Sequence, residues 1–107
     1  MKIIFNDTDL EELIKYGANG KYKKLSRDKV FIKALKNVYA ILKVVERADM
    51  LEVYGALHYE KLKYERSGLS SVRIKYNRVE RLIFREINDG VEIIVIELDD
   101  THYGNKK

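Results

Sequence analysis

Ser71-Val-Arg-Ile-Lys-Tyr76, Glu80-Arg-Leu-Ile-Phe-Arg-Glu-Ile87 and Val91-Glu-Ile-Ile-Val-Ile-Glu-Leu98 are three stretches of one kind, and they decide the fold. In the first, Val72, Ile74 and Tyr76 alternate with Ser71, Arg73 and Lys75, the two-residue period of a half-buried strand. The third is rich in β-branched residues, which fit an extended backbone. Asn77-Arg78 turns the chain between the first and second. Asn88-Asp89-Gly90 joins the second to the third, and these three residue types tolerate the positive φ of a tight hairpin turn. Three strands joined by short turns predict an antiparallel meander.

Towards the N-terminus the period changes. Lys2-Ile-Ile-Phe5 reads as a short strand. Thr8-Asp9-Leu10-Glu11 fits a capping box, with Thr8 as cap and Glu11 reaching back. Leu10, Leu13 and Ile14 then share one helical face, and Gly17 ends the helix. Gly20 to Lys24 reads as loop, and Ser26 is the expected cap of a longer helix. Val30, Phe31, Ala34, Leu35, Val38, Ile41, Leu42 and Val45 recur there at the spacing of an apolar stripe. Lys29, Lys33, Lys36 and Lys43 fall on its other faces and read as solvated surface. The expected architecture is α+β, with two N-terminal helices packed on a small antiparallel sheet in one domain, 1–107.

The chain has no cysteine, which excludes disulfides and thiolate metal sites. No apolar run approaches the ~20 residues of a membrane span. The polar Asn6-Asp7 follows too soon for a signal peptide, so a cytoplasmic protein is expected. The net charge of +4 is modest, but its distribution is uneven. From Lys61 to Arg85 there are eight basic residues against Glu65 and Glu80, a net +6. A basic block of this kind suits a phosphate-bearing partner.

Arg73 and Lys75 are two apart on one predicted strand, and Arg81 and Arg85 lie on one face of the next. If the two sets share a face, an anion is needed to relieve their repulsion. An ordinary solvated sheet face is the plain alternative. The two histidines, His58 and His102, stand at the edges of the strand block. Histidine is the usual proton carrier near neutral pH. Metal-free RNA cleavage requires a base for the 2′-hydroxyl, a cation for the crowded phosphate and an acid for the departing 5′-oxygen. His58, His102, Asp100, Arg73 and Arg81 supply these types, and no cofactor is expected. Tyr64, Tyr76 and Tyr103 are candidates for stacking on single-stranded RNA, although core packing is the plainer reading of Tyr76. HExxH, P-loop and GxGxxG patterns are absent.

From about Leu10 to Tyr103 the chain resembles the RelE/HigB group of bacterial type II toxins, in the RelE/ParE superfamily. The likeness rests on Leu10-Glu-Glu-Leu-Ile-Lys-Tyr-Gly17 before a long basic helix, and on Leu57-His58 with Lys61 or Lys63 behind it. It rests also on Ser71-Val-Arg-Ile-Lys-Tyr76 followed by Glu80-Arg81-Leu-Ile-Phe84, and on Asp100-Thr101-His102. The resemblance implies a ribosome-dependent mRNA endonuclease that blocks translation. It implies His58 near the scissile phosphate, Arg81 as the phosphate-binding arginine, and Asp100 with His102 as an acid–base pair whose roles stay open. Lys61 or Lys63 would contact RNA, and Arg73 and Lys75 match the family's basic pair; Arg85, from the sheet face, and Tyr103, by stacking, are the further RNA-binding candidates. The implied partners are the ribosome with its mRNA and a helix-turn-helix antitoxin of the HigA kind. Thr101 stands where HigB toxins have Tyr, and their strand tryptophan is absent. Two other readings are a gyrase-poisoning toxin of the ParE type and a non-catalytic nucleic-acid-binding module.

Overall fold

The computed structural model describes residues 1–100. The predicted meander forms, as β3 (Ser70–Arg73), β4 (Arg81–Ile87) and β5 (Glu92–Asp99). A two-residue strand, β2 (Glu60–Lys61), pairs with the outer edge of β3. At the other edge β1 (Lys2–Phe5) pairs with β5 in parallel, Lys2 opposite Glu92 and Phe5 opposite Val95. The sheet is therefore five-stranded and mixed, ordered β1-β5-β4-β3-β2, and not purely antiparallel as expected. Direction is reversed at β1 because helices carry the chain over one face before the meander begins. Four residues without alternation gave no sign of it.

Three helices cover that face: α1 (Thr8–Tyr16), a short α2 (Lys23–Arg27) and α3 (Lys29–Val44). Asp7, not Thr8, caps α1: its Oδ1 accepts from the backbone N–H groups of Asp9 at 2.9 Å and Leu10 at 3.2 Å. A carboxylate makes the charge-assisted bond and also complements the helix dipole, so it outcompetes the neighbouring hydroxyl. Glu11 turns outward to Lys15 instead of back to the cap. The expected cap Ser26 lies within α2, where its hydroxyl donates to the Tyr22 carbonyl at 2.7 Å. Asp28 caps α3, accepting from Phe31 N–H at 3.1 Å, and its carboxylate is also gripped by Arg78. Gly17 ends α1 at φ 80, where a Cβ would come within 3.0 Å of Ile32 Cγ2.

Phe31, Leu35, Val38 and Leu42 of α3 and Leu10, Leu13 and Ile14 of α1 are buried against Val72, Leu82, Phe84, Ile93 and Val95 of the sheet. Val30, expected in the stripe, is 59% exposed. The first strand of the meander stops at Arg73: Ile74 stays buried, but the chain bends and leaves Tyr76 70% exposed, outside the core. Between β4 and β5 the register slips by one, since Ile83 pairs with Glu97 whereas Phe84 pairs with Val95. The slip is a bulge at Ile96, and it changes which side chains of β5 face the helices. Val95 and Ile93 face the core before it, and Leu98 packs against the core after it. Glu97 and Asp99 are thereby turned to the other face, beside Arg81.

Candidate active site

The second face of the sheet carries charge. Arg73 and Arg81 are partners across β3 and β4, and Arg81 is the partner of Asp99 across β4 and β5. The three stand in one row. In the adjacent row Glu60, Ser71, Ile83 and Glu97 are cross-strand partners in succession. Arg81 is buried, as is Asp99, each 8% exposed. Its Nη1 donates to Glu60 Oε1 at 3.2 Å, and its Nη2 lies 3.6 Å from Asp99 Oδ2. Arg66 arrives from the turn Tyr64–Arg66. Its Nη1 donates to the same Asp99 oxygen at 3.5 Å, and its Nη2 bonds Glu97. One carboxylate oxygen thus ties two guanidinium groups together.

These residues wall a cleft of about 510 Å³, lined by Glu60, Lys61, Leu62, Lys63, Tyr64, Arg66 and Arg81. Four cations and one carboxylate line it, and Asp99, Glu97 and Glu86 stand behind as counter-ions of Arg81, Arg66 and Lys61. Lys61 sits 4.0 Å from Glu86 Oε1, which draws it towards the other wall of the β2 strand. Lys63 has no such ion pair among the described residues, so its ammonium is the more available of the two. Glu86 also accepts from Ser70 Oγ at 2.7 Å and from the Tyr59 hydroxyl. Burial, then the hydrogen bond to Glu86, pushes the Tyr59 phenol above its ordinary range and keeps it a neutral donor.

The predicted site residues are only partly brought together. Arg81, Lys61 and Lys63 line the cleft, and Arg73 adjoins it with Nη1 on the Tyr76 carbonyl at 3.2 Å. Arg85 is exposed farther along the same face, 3.4 Å from where a Cβ on Gly68 would stand. Lys75 lies beyond the strand end and lines a different groove, with Val30, Lys33 and Tyr76. His58 is exposed, at φ 48, and is not among the cleft residues. Asp100 is exposed, and the aspartate that reaches Arg81 is Asp99. His102 and Tyr103 lie outside the described residues.

Glu60 was not singled out from the sequence. It is the one acid in Tyr59-Glu-Lys-Leu-Lys63, and that isolation among lysines was the available signal. Arg66 is marked in the sequence only as one of the eight basic residues between Lys61 and Arg85. Among the described residues no group of three or more His, Asp or Glu side chains stands close enough to hold a metal ion. No helix there is long and apolar enough to cross a membrane.

The architecture has known counterparts. A YoeB/ParE toxin from Agrobacterium tumefaciens superposes with a TM-score of 0.59 at 16% identity, covering 95% of this chain and all of that one. The toxin–antitoxin complex YoeB-YefM from Staphylococcus aureus matches with a TM-score of 0.50 at 22% identity, covering 96% of this chain and 98% of the matched one. The chain therefore has the mixed α+β fold of YoeB/ParE-type toxins. No protein-family model matches the sequence. No curated protein matches it.

Proposed function

We propose that this protein is a type II toxin that cleaves messenger RNA on the ribosome without a metal ion. The observation that carries the reading is the buried Arg81 hydrogen-bonded to Glu60 at the wall of a cationic cleft. Arg81 binds the scissile phosphate and stabilises the charge that builds on its oxygens. Glu60, 40% exposed and on the same guanidinium, takes the proton from the 2′-hydroxyl. The 2′-oxygen then attacks phosphorus, the bond to the 5′-oxygen breaks, and a 2′,3′-cyclic phosphate remains. His102 protonates the departing 5′-oxygen. Lys63 and Arg73 hold flanking phosphates. His58, Lys75 and Asp100 have no part in this proposal.

The same fold in a toxin–antitoxin complex supports an antitoxin as the cellular partner, and the sequence resemblance favours one with a helix-turn-helix domain. A ParE-type gyrase poison has the same fold but no use for an acid–base pair around a phosphate site. Glu60 beside Arg81 favours the nuclease.

The test is induction of the wild type, Arg81→Ala and Glu60→Gln in a bacterial host, with mapping of mRNA 5′ ends. Growth arrest with cuts inside translated frames is expected for the wild type, with at least a hundredfold fewer cuts in either variant. Arrest with intact mRNA sinks the nuclease reading.

A further inference from the structure

Tyr64 is the outlier of this cleft. It is 89% exposed, the most exposed of the large apolar and aromatic residues among the described ones, and its backbone sits at φ 59. Among the described residues the other non-glycine ones at positive φ are His58, Asn88 and Asp89, types that tolerate this region. A bulky aromatic does not, and such conformations persist only where the surroundings enforce them. Here the surroundings are evident. Arg66 and Ser67 donate to the Lys63 and Tyr64 carbonyls at 3.1 and 3.0 Å, and Leu62 N–H donates to Leu69 at 2.9 Å. Gly68 reverses the chain at φ 94, and Arg66 staples the turn to β5 through Asp99 and Glu97. The turn is fixed from both sides, yet the ring makes no aromatic or cation–π contact among the described residues.

A solvated aromatic ring on a fixed backbone turn, beside four cations, suits one use. We infer that Tyr64 is a stacking platform for an unpaired nucleobase of the RNA strand whose phosphates occupy the cleft. The cations hold the backbone, and the ring takes the π-face of a base next to the phosphate on Arg81. The inference rests on the nuclease reading for the identity of the strand, but stacking is a binding property and is measurable without cleavage. Tyr76, also exposed, does not qualify: it lies in the groove against α3, with the Lys75 ammonium 5.1 Å from its ring centroid.

The chain has no tryptophan, so Tyr64→Trp introduces a lone indole at the platform. The probe is a single-stranded RNA, 2′-O-methylated throughout so that it is not cut. Its control is an abasic ribose–phosphate chain of equal length and charge. The RNA is expected to quench the indole and the abasic chain to leave it unchanged. Tyr64→Ala should weaken RNA binding roughly 5- to 100-fold while leaving abasic-chain binding within about twofold, and Tyr64→Phe should restore it. Tyr64→Gly should weaken binding equally while its thermal midpoint stays at or above that of the wild type, because glycine is unstrained at this φ.

RNA binding kept by Tyr64→Ala but lost by Arg81→Ala overturns the platform and leaves the nuclease reading standing. Loss of affinity and thermal midpoint together in both Tyr64→Ala and Tyr64→Gly makes the residue structural and overturns it too. A wild type that binds neither chain removes the RNA cleft itself, and the platform with it.

Discussion

The two faces of the sheet are buried by opposite means. On the helix side Val72, Leu82, Phe84, Ile93 and Val95 vanish under α1 and α3, held by apolar burial alone. On the other side Arg81 and Asp99 are almost as inaccessible, but they are held by ion pairs to Glu60 and Arg66. The first face gains free energy from leaving water. The second must offset the cost of taking charges out of water, and an ion pair at best roughly balances that cost. On the function proposed above, the arrangement is kept because its charges bind phosphate. The difference teaches which face is scaffold and which is instrument.

The contrast is broken most directly at Phe84. Phe84→Ala leaves a cavity on the helix side and should cost about 3–5 kcal/mol, read as a lower midpoint in urea. A loss under about 1 kcal/mol would mean that this face is not the main store of stability. Asp99→Ala strips the shared carboxylate from two guanidiniums and should cost about 2–3 kcal/mol, less than a full buried pair because Glu60 and Glu97 remain. Adding Arg81→Met and replacing Asp99 by Leu should recover most of that stability without restoring the RNA cleavage proposed above. Recovery of both, or of neither, would contradict the division between scaffold and instrument.

The smallest effect belongs to Asp28. The hydrogen bond from Arg78, then that from Phe31 N–H, holds its carboxyl below the ordinary value of 3.8. A depressed carboxyl stabilises the fold above its unfolded pKa, and the gain is lost as pH falls below 3.8 through the folded value. The stability difference between wild type and Asp28→Asn should therefore be constant near neutrality and shrink in that acid window. A difference that persists unchanged at pH 2 would place the effect in packing.

Strands, helices and the position of Arg81 were legible because each follows from local periodicity or from a motif. The caps were misplaced by one and two residues, since Asp7 and Asp28 compete with nearby hydroxyls and only geometry decides. The bulge at Ile96 is invisible in a run of β-branched residues, and with it goes the choice of Asp99 over Asp100 as the aspartate facing Arg81. Glu60 was missed for a related reason. It stands 21 residues from Arg81 in sequence, and a two-residue edge strand carries no pattern to place it there.

The parallel pairing of β1 with β5 joins Lys2 to Glu92, across 90 residues of chain. During synthesis the β4–β5 hairpin can close on itself, but the first strand has nothing to pair with until the last has emerged. Such long-range closure is slow, and it comes late. The cationic face is completed by the same last strand, because Asp99 and Glu97 set the angles of Arg81 and Arg66. A nascent chain therefore has neither its parallel edge nor the ion pairs around Arg81 and Arg66 until β5 has been made.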